Sequence, residues 1–165
     1  MPNNNAILAV AAVAIVLAGG ALVLSLSPKP SVAATPTTRT IYMAAVEPKG
    51  SATIDKEPFP TKTLPAGGGM ALKTPDKDGK WEVEIYRWDP ATIVVNQGDD
   101  VTLKILGING QQHVTEIQGY GQQFTVKRGE LTEVTFKADK AGVFKIKCQT
   151  HQPTMEADLV VLGNP

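Results

Sequence analysis

The chain has 165 residues, 42% of them hydrophobic, with sixteen Lys and Arg set against sixteen Asp and Glu. That is room for one domain of about 100 residues with appendages. The zero net charge argues against a nucleic-acid binder, which carries a basic excess on one face. A single cysteine, Cys148, excludes an internal disulfide framework.

Ala6 to Leu26 is apolar apart from Gly19, Gly20 and Ser25 and carries no charge. As a helix it is about 30 Å long, enough to cross a bilayer core. Residues 1–26 are therefore read as an N-terminal membrane anchor. The alternative is a cleaved signal peptide, with Val32-Ala33-Ala34 as its cleavage site, but Met1 to Asn5 lacks the basic residue such a peptide carries. Lys29 and Arg39 follow the span, and a positive-inside count alone would place them in the cytoplasm. A folded C-terminal domain suits the exported side, so an extracytoplasmic domain is expected.

Residues 27–80 read as a linker and an irregular arm. Ser27 to Thr38 is rich in Pro, Ser, Thr and Ala, the composition of a semi-extended tether. Thr40 to Val46 has the makings of a short strand. Pro48, Pro58, Pro60, Pro65 and Pro75 then exclude a long helix or a central strand, and Gly67-Gly68-Gly69 reads as a flexible turn.

From Trp81 to the C-terminus, β-rich runs alternate with turn residues, the pattern of an all-β sandwich or barrel. Trp81, Val83 and Ile85 share one face of the first run. Ala91 to Val95 follows the break at Asp89-Pro90, and Asn96 to Asp99 makes a turn. Val101, Leu103 and Ile105 share a face of the next strand. Gln112 to Gln118 carries His113, and Gln123 to Lys127 and Leu131 to Lys137 are further strands. Gly142 to Cys148 alternates with Phe144, Ile146 and Cys148 inward, and Ala157 to Leu162 is last. Trp81, Trp88, Phe136 and Phe144 are expected in the core.

The stretch richest in chemistry is Cys148-Gln-Thr-His151-Gln-Pro-Thr-Met155. It holds the only cysteine and one of two histidines, the other being His113. One thiolate, two imidazoles and a thioether match a mononuclear copper site with a trigonal His₂Cys plane and a weak axial Met. The inward register brings the Cys148 thiol to the end of the sandwich interior. Pro153 keeps the following connection from continuing as strand or helix, so His151 and Met155 ride on one loop. His113 must arrive from another strand. Glu116 and Glu156 read as solvated carboxylates.

These residues resemble the cupredoxin family of small blue copper proteins. Arg87 to Asp99 is similar to an early strand of the family ending in a Gly-Asp turn, and His113 stands where its first histidine ligand stands. Thr135 to Cys148 resembles the strand–loop–strand that brings in the cysteine. Cys-x₂-His-x₃-Met followed by Leu159-Val-Val resembles the ligand loop and final strand. The x₃ gap before Met155 departs from the gaps common in the family. A dinuclear purple copper centre needs two cysteines in this loop and is excluded. Cys148 to His151 and the Ala138 to Gly142 loop also resemble nitrosocyanin-like proteins, although those use a carboxylate ligand near the place of His113.

The resemblance implies a Greek-key cupredoxin-like β-sandwich over residues 81–165, preceded by the transmembrane helix. It implies one type 1 copper ion held by His113, Cys148, His151 and Met155. The expected function is membrane-tethered electron transfer between Cu(I) and Cu(II), without catalysis or a small-molecule substrate. A redox protein partner would dock transiently near His151, over the uncharged Gln149, Thr150, Gln152 and Pro153. The alternatives are a red-copper, nitrosocyanin-like protein with possible catalysis, a copper-delivery protein, and a structural subunit of a membrane complex.

Overall fold

A computed structural model of the protein describes residues 35–163. The strands are, in chain order, β1 (Thr38–Val46), β2 (Lys49–Thr53), β3 (Met70–Lys73), β4 (Lys80–Ile85), β5 (Arg87–Asp89) and β6 (Thr92–Asn96). They continue as β7 (Asp100–Gly107), β8 (Gln112–Ile117), β9 (Gln122–Lys127), β10 (Leu131–Lys137), β11 (Gly142–Cys148) and β12 (Glu156–Leu162). Among the described residues there is no helix, and so none long and apolar enough to cross a membrane. The anchor expected over residues 1–26 lies outside the described residues.

The two-residue period seen in the sequence sets which side chains face inward. In β7, Val101, Leu103 and Ile105 are buried, while Thr102 and Lys104 are not. The same alternation buries Ile93 and Val95 of β6, and Ala157, Leu159 and Val161 of β12. Two sheets result, with strand orders β10-β7-β1-β5 and β6-β12-β11-β8-β9. Their inner faces share one core, to which the first contributes Met43, Trp88 and Leu103 and the second Ile117, Ile146 and Leu159. Each large apolar side chain fully buried there stabilises the fold by about 1.5–3 kcal/mol.

β1 covers the short strand expected over Thr40 to Val46 and lies inside the first sheet, parallel to β7 and antiparallel to β5. The irregular arm expected after it, over residues 47–80, instead holds β2 and β3. Asp99 explains the placement of β1. Its buried carboxylate accepts from the amides of Thr37 at 2.8 Å and Asn96 at 2.9 Å, and from Arg39 Nε at 2.5 Å. The turn between β6 and β7 thus holds the start of a strand 62 residues earlier. β2 and β3 flank β4 in a separate three-stranded sheet. The prolines do lie outside strands, but the segments between them are short enough to pair with β4.

This small sheet also corrects the reading of the Trp81 run. Trp81 is buried, yet outside the sandwich core. It packs edge-on against Phe59 with ring centroids 5.9 Å apart, and its indole N–H donates to the Glu57 carbonyl at 3.0 Å. Ile85, expected on the same inward face, is 37% exposed. Phe136 and Trp88 are buried in the core, and Phe144 packs against it partly buried.

Candidate metal centre

β8 buries His113, Thr115 and Ile117 on one face, and β11, paired antiparallel with β8, ends on the buried Cys148. The two neighbouring strands therefore bring an imidazole and a thiol to the same end of the core. The loop that follows is closed on itself. The Cys148 amide donates to the Met155 carbonyl and the Met155 amide to the His151 carbonyl, each at 3.0 Å. The Gln152 side-chain amide donates to the Cys148 carbonyl at 2.5 Å, and the Gln149 amide to the Val114 carbonyl at 2.7 Å.

A second segment holds the loop from outside. The Gly69 amide donates to the Gln152 carbonyl at 2.9 Å, and the Gln152 amide to the Gly67 carbonyl at 2.7 Å. The Thr154 hydroxyl donates to the Gly69 carbonyl at 2.7 Å. The glycines make this approach possible, because a Cβ on Gly69 would lie 2.8 Å from the carbonyl oxygens of both His151 and Gln152. The triplet read as a flexible turn is thus paired against the ligand loop.

Three of the four residues singled out in the sequence present donors to one point. The ligand atoms of His113, Cys148 and His151 all lie within 4.8 Å of one another. His113 Nδ1 and His151 Nδ1 are 3.2 Å apart, and Cys148 Sγ is 3.3 Å from His151 Nδ1. The Nε2–H of His113 donates to the Asn109 carbonyl at 3.0 Å, a contact that leaves Nδ1 as the free lone pair facing the cluster. Met155 is fully buried in the core that also contains Cys148.

Burial alone would push the Cys148 thiol up. The neighbouring His113, the Thr150 hydroxyl and the amides of Thr150 and His151 outweigh it and hold the thiol below its ordinary value. Burial, and then the neighbouring His113, push His151 down and favour the neutral, ligating imidazole.

The family model for the cupredoxin-like domain matches residues 66–161, more than half of the 165. The chain belongs to the cupredoxin-like domain family. No match was found among curated protein sequences. Among solved structures, this cupredoxin is similar to a multicopper oxidase, mgLAC, at 17% identity over 76% of this chain and 39% of that one, with a TM-score of 0.49. It is similar to a copper nitrite reductase from Nitrosomonas europaea at 17% identity over 76% and 42%, with a TM-score of 0.49. It is also similar to auracyanin A, a blue copper protein from Chloroflexus aurantiacus, at 21% identity over 46% and 88%, with a TM-score of 0.40. The chain spans about two fifths of the length of the oxidase and of the reductase.

The donor set of this cupredoxin fits the copper its family implies. A thiolate with two imidazoles is a borderline-soft set suited to that metal. Their spacing is also that of donors sharing one ion, whose bonds to nitrogen and sulfur run at about 2.0–2.3 Å in the comparable zinc case.

Other residues around the site carried no local signal in the sequence. Tyr86, between β4 and β5, stacks on His151 with ring centroids 3.8 Å apart and planes within 11°. Burial, and then a hydrogen bond to the Glu47 carboxylate, push its phenol up to about 12. Glu47 is buried and bonded on both sides by Asn109, its amide donating to Oδ1 at 2.6 Å and its carbonyl accepting from Nδ2 at 2.7 Å. Asn109 lies in the connection between β7 and β8, four residues before His113.

Proposed function

We propose that this cupredoxin is a mononuclear electron carrier that holds one type 1 copper ion on His113, Cys148 and His151, with Met155 as the axial donor. The observation that carries the reading is the convergence of the two Nδ1 atoms and the Cys148 thiol at one end of a rigid β-sandwich. Bound there, copper would supply the Cu(I)/Cu(II) couple. The protein's part is to hold the donors nearly still as the charge changes. The paired ligand loop and the glycine segment against it do this through backbone hydrogen bonds, which do not depend on the charge at the centre.

The reading extends to the exported face of a membrane, to a tether formed by the N-terminal apolar segment, and to transient docking of a redox protein near His151. Gln149, Thr150 and Pro153 are exposed beside His151, and small neutral patches are adequate for brief redox encounters. We read the chain as a carrier rather than an enzyme because its clustered His and Cys side chains are all accounted for as ligands, with no nucleophile–base pair left over among the described residues for substrate chemistry.

The test is an absorption and electron-spin-resonance spectrum of the copper-loaded protein, with Cys148→Ser as control. Intense blue colour, abolished by the substitution, is expected. An absorption band well to the blue would favour the red-copper alternative, and a protein that stays colourless in excess Cu(II) would overturn the reading.

A further inference from the structure

The two histidines of the site are held in different ways. His113 is fixed by a hydrogen bond from its outer nitrogen to the Asn109 carbonyl. Metal-bound histidines almost always have such a partner behind the metal, and it sets ring orientation and affinity. His151 does not follow that rule. Among the described residues, every hydrogen-bond-range contact of its ring is at Nδ1, the nitrogen that faces the cluster. What fixes the plane of the ring is the face of Tyr86, the closest of the aromatic pairs in the structure and nearly parallel to it.

Tyr86 is itself held at two points. Its amide donates to the Gly69 carbonyl at 2.9 Å, and its phenol interacts with the buried Glu47 carboxylate, which helps to push its pKa up. Glu47 is clamped through its backbone by the Asn109 side chain, the same residue whose carbonyl holds His113. One chain of contacts therefore runs from His113 through Asn109, Glu47 and Tyr86 to His151.

We propose that Tyr86 is the positioning residue for His151, substituting a stacked ring for the missing hydrogen bond at Nε2 and so setting copper affinity and reduction potential. The proposal deepens the copper reading and rests on it. A tilted His151 ring would point its Nδ1 lone pair away from the centre. The stack prevents that tilt while leaving the Nε2 edge of the ring free of protein partners among the described residues.

The test compares the full-length wild type with Tyr86→Phe, Tyr86→Leu, Glu47→Gln and Glu47→Ala. In the metal-free wild type, the ring current of Tyr86 is expected to displace the His151 Cε1–H proton resonance. Tyr86→Phe keeps the displacement and Tyr86→Leu abolishes it. With Cu(II) added, Tyr86→Leu is expected to bind about 10–100-fold more weakly and to show an altered spin-resonance spectrum and potential, while Tyr86→Phe, which keeps the stack but loses the contact with Glu47, shifts the same way by less. Glu47→Gln keeps an acceptor for the phenol and holds wild-type values. Glu47→Ala moves them in the direction of Tyr86→Leu, and carries the test should Tyr86→Leu fail to fold. A purely structural role would lower the melting temperature without moving spectrum or potential. A wild type that takes up copper, with Tyr86→Leu matching it in affinity, potential and spectrum, overturns this proposal alone. A wild type that takes up no copper overturns the copper reading with it.

Discussion

The amide of Gly69 donates to the carbonyl of Gln152 at 2.9 Å, so a glycine from the segment before β3 forms one wall of the ligand loop. The contact is close enough that no side chain fits between the two backbones. A Cβ on Gly69 would meet the Thr154 hydroxyl as well as two loop carbonyls. Gly69→Ala is therefore expected to push the loop outward, at an overpacking cost of about 1–3 kcal/mol. Thermal unfolding of the metal-free protein should show a lower Tm, and copper should leave the variant faster in a chelator-exchange assay. An unchanged off-rate would show that the glycine wall does not constrain the ligands.

Met155 is fully buried and belongs to the hydrophobic core as well as to the ligand loop, so its two roles can be separated. Met155→Leu conserves volume and should cost less than about 1.5 kcal/mol in stability. Replacing the thioether proposed above as the axial donor by hydrocarbon would disfavour Cu(II), so the reduction potential should rise. Cyclic voltammetry beside a urea titration distinguishes the cases. A potential that stays put while the fold is intact would make Met155 a core residue only.

Asp99 gives the fold an acid-sensitive joint. Burial would raise its carboxyl, but the amides of Asn96 and Thr37 and the Arg39 guanidinium outweigh burial and bring it from 3.8 to about 2. A carboxylate lowered by folding stabilises the native state fully above its unfolded pKa, and that contribution fades as pH falls from about 4 toward about 2. Asp99→Asn should therefore cost about 1.5–3 kcal/mol near neutral pH, the range for hydrogen bonds to a charged group. In denaturant titrations, the gap between wild type and variant should narrow as pH falls through that window. A gap that is constant with pH would mean the carboxylate charge does not hold β1.

Copper should stabilise the folded chain by mass action, since the unfolded chain does not bring His113 to the cysteine loop. At a free concentration about 1,000 times the dissociation constant, the gain is about 4 kcal/mol. Calorimetry with and without Cu(II) should show the rise in Tm, and Cys148→Ser should erase it. A rise that survives that substitution would place the binding elsewhere.

Along the chain, the face of Cys148 was already legible. A strand shows alternate side chains to opposite faces, so the run from Gly142 specified a buried thiol, whereas the run containing His113 left the face of its imidazole open. Pro153 and the short spacing from Cys148 to Met155 put the remaining candidates on one connection, because so few residues cannot leave and return. Which strands became neighbours could not be read along the chain. β1 pairs with β7 through a carboxylate 62 residues away, the glycine segment lies on the ligand loop, Trp81 packs outside the sandwich core, and Tyr86 covers His151. The reason is physical: periodicity records the face of each residue locally. Pairing between distant segments depends on closing long loops and on the fit of whole surfaces, and a stretch of chain carries no local mark of either.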